Sequence, residues 1–270
     1  MSRLPVCIHR EQSRLPDSRY CIVVPHYNHQ AQFARMVPEL AASGLPVIVV
    51  DDGSDAQNYV PLKKLCAGLE WVELLRQEQN AGKGSAMIQG AYRARELGFT
   101  HMLQIDADGQ HALDSIAAIL AASGAAPEAL VSGLPVFGAD VPNSRLQGRK
   151  FSLWWARVET LSTELQDVMC GFRVYPLDSF IHLCEKTRMG VRMQFDIEVM
   201  VRMFWEGTRV QFVPVTVSYP ENGVSHFRLF GDNVAISLMH TRLFFGMLLR
   251  APWLLMRNRQ RRGDSGISKF

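Results

Sequence analysis

The chain has 270 residues, 47% of them hydrophobic and 20% charged, which is enough apolar material for the core of one large α/β domain or two small ones. Its 29 basic side chains are nearly matched by 26 acidic ones, and a net charge of +3 excludes recognition of nucleic acid through bulk charge; any basic patch must be local. Five cysteines, an odd number without CxxC spacing, exclude a disulfide scaffold and fit a reducing, cytoplasmic setting.

Residues 1–18 carry Arg3, His9, Arg10, Glu11 and Arg14, which interrupt any secretory apolar core, so a flexible leader is expected there. Apolar runs then alternate with helical spacing. Cys21-Ile22-Val23-Val24 precedes a helical stretch over 30–43 ended by Gly44, and Val47–Val50 and Val72–Leu75 follow. A second helical stretch over 83–97 is ended by Gly98, and His101–Ile105, a third over 114–123, and Leu130–Gly133 come next. Continuous apolar strands suit a sheet covered on both faces, and the alternation predicts an α/β fold with a mostly parallel, Rossmann-like sheet flanked by helices.

Past residue 135 the alternation loosens into a Pro/Gly-containing stretch and an Arg-rich segment at 145–157. Ile197, Met200, Val201 and Phe204 fall at i, i+3, i+4 and i+7 and predict a packed helix, with a strand over Val210–Val217. From Val234 to Met256 the chain is strongly apolar, yet His240, Arg242 and Arg250 make spanning a bilayer costly. Arg257, Arg259, Arg261 and Arg262 follow. This pattern predicts an amphipathic helical segment over 229–262 with a basic end, lying on an anionic membrane surface, and a tail over 263–270. The alternative is a helix packed on the catalytic part or in a homodimer interface.

Open parallel sheets bind ligands beyond the carboxyl ends of their strands. The residues there are Pro25-His26-Tyr27-Asn28-His29, Asp51-Asp52-Gly53-Ser54 and Asp106-Ala107-Asp108-Gly109-Gln110. Two carboxylates in a tight turn supply hard oxygen ligands for a divalent cation, and the Gln110 amide oxygen adds a third. Asn80-Ala81-Gly82-Lys83-Gly84 opens a helix without P-loop spacing, so it suits close backbone approach to a nucleotide and excludes an NTPase. His26, His29, His101 and His111 show no zinc spacing.

VPHYNH, VIVVDDGSD, NAGKGSAMIQGA and QIDADGQH, in this order, resemble the family 2 glycosyltransferases, particularly the branch of dolichol-phosphate mannose synthases and polyprenyl-phosphate glycosyltransferases. The resemblance implies a GT-A fold over 19–228, with a nucleotide-sugar half at 19–134 and an acceptor half at 135–228. It implies Mg²⁺ or Mn²⁺ held by Asp106, Asp108 and Gln110, and a UDP- or GDP-type sugar donor. Pro25, Tyr27 and Asp52 would line the nucleoside, with Lys83 near the nucleotide. His29 stands where the family often has Glu, which leaves the base open. Asp167-Val168-Met169-Cys170-Gly171-Phe172-Arg173 resembles the branch's GFR segment and makes Asp167 the catalytic candidate, either as general base or as a positioning group; a structural ion pair with Arg173 is the bland alternative. Arg145 and Arg149 would face the diphosphate or an anionic acceptor, and His226 and Arg228, in the segment Gly223–Arg228, would clamp the departing diphosphate.

The resulting expectation is an inverting, metal-dependent transferase, peripheral on the cytoplasmic face of a membrane. Its acceptor would be lipid-linked, a polyprenyl phosphate or a hydroxylated lipid or polyene. The competing reading is a catalytically silent nucleotide-sugar- or lipid-binding regulator on the same scaffold.

Overall fold

The computed structural model describes residues 18–109, 113–137, 143–217 and 229–267. The expected leader up to residue 17, the end of the tail, Gln110, His226 and Arg228 lie outside them. Strand β1 spans Tyr20–His26 and leads into helix α1, Gln30–Ala42. Strand β2 (Val47–Asp52), helix α2 (Ala56–Ala67), strand β3 (Val72–Gln77) and helix α3 (Lys83–Glu96) follow. Strand β4 (His101–Gln104) is separated by a short 3₁₀ turn from helix α4, Ile116–Ala125, two residues beyond the helical stretch its apolar spacing suggested. Gly44 and Gly98 close α1 and α3 with φ of 66° and 84°, backbone that an L side chain resists.

Strand β5 covers Leu130–Phe137. The Arg-rich stretch forms helix α5, Asn143–Thr160, in which Ala156 is buried and Leu153 and Val158 pack against the core while Phe151 and Trp154 are exposed. Strand β6 (Arg173–Pro176), helices α6 (Leu177–Lys186) and α7 (Phe195–Trp205), strand β7 (Val210–Val217) and the 39-residue helix α8 (Leu229–Ile267) complete the chain.

Among the described residues, seven strands form one sheet in the order β3-β2-β1-β4-β6-β5-β7. Only β6 runs against its neighbours, pairing antiparallel with both β4 and β5. Successive strands lead outward from β1 through β2 to β3, and then return on its other side at β4, so a crevice opens beyond the carboxyl ends of β1 and β4. The reversed strand adds a second consequence. Arg173, at the start of β6, pairs with Gln104 at the end of β4, so the segment before β6 arrives at the same rim as the turn after β4.

The inner strands β1, β2, β4 and β6 are buried on both faces, as continuous apolar runs require, while the edge strands β3 and β7 are partly exposed. Along β1, Cys21 and Val23 pack into one core with α3, α6 and α7, while Tyr20, Ile22 and Val24 pack into the other with α1, α2 and α4. Helix α3 lies close enough to β1 that a Cβ on Gly90 would overlap the Val23 side chain.

Helix α8 has one face packed inward and one exposed. One face docks on the catalytic part: Met239, Leu243, Met247 and Leu254 are buried there. His240 Nδ1 lies 2.7 Å from the buried Glu159, and Asn258 Nδ2 donates to the carbonyls of Thr160 and Leu161, both at 3.0 Å. Arg257 donates to the Trp205 carbonyl at 2.9 Å and Arg261 to that of Gly207 at 2.5 Å. The opposite face exposes Leu238, Phe245, Leu248, Leu249, Trp253, Leu255 and Met256. By length and composition the 31 residues Gly231–Arg261 suffice to cross a membrane. The polar ties of the inner face join them to the ends of α5 and α7.

Candidate active site

The site is assembled from three turns that end parallel strands and from the segment that enters β6. At the end of β2, Asp51 is fully buried, with His26 Nδ1 at 3.0 Å and the Ser54 N–H donating to it at 3.2 Å. Burial works to raise its carboxyl pKa, but the hydrogen bonds of His26 and Ser54 outweigh this and hold it below the usual carboxylate value. Ser54 Oγ accepts from the Asn28 N–H at 2.9 Å, and Asn28 Oδ1 accepts from the Asp55 N–H at 3.0 Å, so the turns after β1 and β2 are stitched together. Pro25 and Tyr27 stand at this end of β1, both half-buried.

Asp52 faces the other way. Its carboxylate accepts from the Ala81 N–H at 2.7 Å, the Gly82 N–H at 2.8 Å and Asn80 Nδ2 at 3.0 Å. Burial dominates and raises its pKa despite these bonds. It does not cap α2, a task that falls to Asp55 through the Asn58 N–H. The structure commits Asp52 to shaping the loop before α3. Gly82, at φ 106°, lets that loop turn sharply, and the Gly84 N–H then donates to the Val191 carbonyl at 2.7 Å.

Lys83, the first residue of α3, places its ammonium 2.8 Å from Asp106 Oδ1 and 2.6 Å from Asp196 Oδ2. Burial alone would lower the lysine pKa; the two carboxylates raise it well above the ordinary value. Asp196 sits in the first turn of α7, and although burial works to raise its pKa, Lys83 and Arg173 hold it below the usual range. Gln104 Nε2 donates to Asp196 Oδ1 at 3.1 Å, and the Tyr175 hydroxyl donates to Gln104 Oε1 at 3.1 Å. The fully buried Arg173 donates to the Asp196 carbonyl at 2.6 Å. Arg173 therefore braces α7 and is not the partner of Asp167.

That partner is Arg149 of α5. Its Nη2 lies 2.8 Å from Asp167 Oδ2 and its Nε donates at 3.1 Å, a fork on one carboxylate. Asp167 Oδ1 also accepts from the N–H groups of Met169, at 2.9 Å, and Cys170, at 2.7 Å. The turn so fixed delivers Gly171 against Asp106: a Cβ on Gly171 would collide with that carboxylate, so only glycine lets the two segments meet. Arg145 lies in the first turn of α5.

The donor set suits a hard divalent cation. Asp106 is half-buried, as is Asp108, and the Gly109 turn between them and the rim borders open space, with nothing within 4 Å of a Cβ position there. Among the described residues no three His, Cys, Asp or Glu side chains cluster to make a cage on their own, so a cation here would need further oxygen ligands beside Asp106 and Asp108.

The model of glycosyl transferase family 2 matches residues 21–183, more than half of the chain. The chain belongs to glycosyl transferase family 2. This glycosyltransferase is 26% identical over 225 residues to the polyprenol monophosphomannose synthase of Mycolicibacterium smegmatis, covering 81% of this chain and 84% of that one. It is 25% identical over 217 residues to the undecaprenyl-phosphate mannosyltransferase of Micrococcus luteus, covering 77% and 86%. The crystal structure of glucosyl-3-phosphoglycerate synthase from Mycobacterium tuberculosis, in complex with Mn²⁺ and UDP-glucose, shares the fold, with TM-score 0.65 at 13% identity over 89% of this chain and 82% of that one.

Sequence reasoning about the glycosyltransferase missed Asp196, Gln104 and Tyr175. An acid in the first turn of a helix is the commonest dipole-complementing choice, so Asp196 carried no distinguishing signal. Gln104 offered one: a polar side chain ending an otherwise apolar strand, immediately before the acidic turn.

Proposed function

We propose that this glycosyltransferase moves a sugar, with inversion, from a UDP- or GDP-type donor to a polyprenyl phosphate at a membrane surface. The observation that carries the reading is the convergence, at one rim of the sheet, of the Asp106–Asp108 turn, the Lys83 ammonium and the Arg149–Asp167 pair. Mg²⁺ or Mn²⁺ held by Asp106 and Asp108, with Gln110, would neutralise charge on the donor diphosphate. The turn after β1, with Pro25 and Tyr27, would flank the nucleoside, and Asp52 contributes by holding the 80–82 loop against it. Arg145, His226 and Arg228 are proposed as cations for the diphosphate, whose charge grows as the glycosidic bond to it breaks. A phosphate acceptor carries its own nucleophilic oxygen, so no proton has to be removed; Asp167, gripped by Arg149, suits orientation of that arginine toward an anionic acceptor.

Thermal stabilisation by UDP and GDP, each with and without Mn²⁺, tests the donor site. At a hundredfold excess over Kd the matching nucleotide should add about 2.7 kcal/mol, and only with the metal. Absence of any metal-dependent shift with either nucleotide would count for the competing silent-regulator reading.

The names of the two relatives point to a prenyl-phosphate acceptor, and the outer face of α8 suits the surface on which one resides. Phe151 and Trp154 of α5 are exposed as well, and Lys150, Arg242 and Arg259 supply exposed positive charge for anionic headgroups. An enzyme docked in this way would be peripheral, on the cytoplasmic side where nucleotide sugars are supplied. Co-sedimentation with anionic vesicles should weaken about tenfold or more in the Leu249→Glu variant, because Leu249 is 85% exposed and its burial in lipid contributes about 1.5–3 kcal/mol. Unchanged vesicle binding would remove the outer face from the membrane reading.

A further inference from the structure

The ammonium of Lys83 stands where a divalent cation would have to approach Asp106. It lies within 2.9 Å of both Asp106 oxygens, and Asp196 Oδ2 is closer still, at 2.6 Å. Asp196 is itself held rigidly, by Gln104 on one carboxylate oxygen and by Arg173 on its backbone carbonyl. Gln104 in turn reaches both acids, at 3.1 Å to Asp196 and 3.4 Å to Asp106. One cation thus spans two carboxylates that have unequal supports: Asp106 is on the open rim, and Asp196 is braced from behind.

We infer that Lys83 is a built-in competitor for the divalent-cation site, and that Asp196 is a positioning residue that retains the ammonium when a cation takes Asp106. This rests on the proposed metal site. Without Asp196, the lysine would have Asp106 as its sole carboxylate partner in this network, and an incoming cation would have to displace it into solvent or onto the donor. With Asp196 present, the exchange at Asp106 leaves Lys83 ion-paired throughout, 113 residues away in sequence but within one hydrogen bond in space. The arrangement keeps the metal weakly bound until a donor diphosphate arrives to share the added positive charge.

The test is a double-mutant cycle on Mn²⁺ binding, read by electron paramagnetic resonance with Mn²⁺ alone and again with UDP or GDP. Lys83→Met should tighten binding of Mn²⁺ alone by about tenfold, since an unscreened cation a few ångströms from the site is removed. Asp196→Asn should weaken it about tenfold in the presence of Lys83 and much less in the Lys83→Met background. Melting temperatures establish that each variant is folded, and Lys83→Arg, which keeps the charge, should behave like the unaltered protein. Equal Mn²⁺ affinities in all four proteins of the cycle would overturn the inference alone. So would an Asp196→Asn effect of the same size in both backgrounds, which is the signature of plain long-range charge. No Mn²⁺ signal from any protein, with or without nucleotide, would overturn the metal site and this inference together.

Discussion

Replacing Asp108 with Ala is expected to lower sugar transfer by about three orders of magnitude, a loss near 4 kcal/mol of transition-state stabilisation. Asp108 is the better residue to test because Asp106 carries other duties: it pairs with Lys83 and packs against Gly171, so its removal also releases α3 from the segment before β6. The measurement is the initial rate of transfer from labelled nucleotide sugar to a polyprenyl phosphate across a Mn²⁺ titration, with melting temperature as the control for folding. A folded Asp108→Ala enzyme that kept a tenth of its activity at every metal concentration would defeat the assignment of the Asp106–Asp108 turn as the cation site.

The second large effect is expected at the Arg149–Asp167 pair. Their side chains are 17% and 11% exposed, so deleting the arginine strands a nearly buried carboxylate. Such a loss costs roughly 3–5 kcal/mol when burial is complete, and about 3 kcal/mol is expected for Arg149→Ala after allowing for residual solvent. In a protein of this size that is a fall in Tm of about 6–12 °C. Asp167→Asn separates the two roles the sequence leaves open. The amide oxygen can still accept from the Met169 and Cys170 N–H groups, so the turn survives, while the charge that orients Arg149 is gone. A positioning role predicts a loss of about a hundredfold in kcat/KM, carried largely by KM for the acceptor. A kcat lowered by about ten-thousandfold with unchanged acceptor KM would instead make Asp167 a general base.

The parts of this architecture that could be read directly were those in which one physical demand dominates. Val47–Val50 and Cys21–Val24 are apolar at every position because both faces of their strands are buried. Strand β6 escaped notice because it is short and begins with a fully buried arginine, a residue whose burial is tolerated only through partners that lie on α7 and on Tyr175. Helix α5 is marked no better, since its first half is polar and Arg-rich and the helix α8 that packs on it lies far along the chain.

The acidic turns were legible as a rim because strand ends mark it. The pairings across the rim were not. Asp167 had two arginines in reach by sequence, and the nearer one, Arg173, proved to be directed into the core toward Asp196. Likewise the loop that carries Lys83 gives no sign of its two carboxylate partners, which come from elements that no local pattern connects. Asp52 shows the same limit: its hydrogen bonds to Asn80, Ala81 and Gly82 on the neighbouring loop follow from no local pattern.

The docking of α8 carries a mechanical consequence. Its inner face is pinned before Pro252 by His240 to Glu159 and after it by Asn258, Arg257 and Arg261, so the proline inside the helix lies between two fastened stretches. A helix fastened at several points along its length behaves as a keel and not as a tether. On a bilayer, any roll of α8 becomes the same roll of the whole enzyme, and the distance from the lipid surface to the Asp106 turn is set by the thickness of protein between them. Reach must then come from the acceptor, whose phosphate has to rise to a fixed height, so transfer should be more sensitive to how far a lipid's headgroup can extend than to the length of its buried tail.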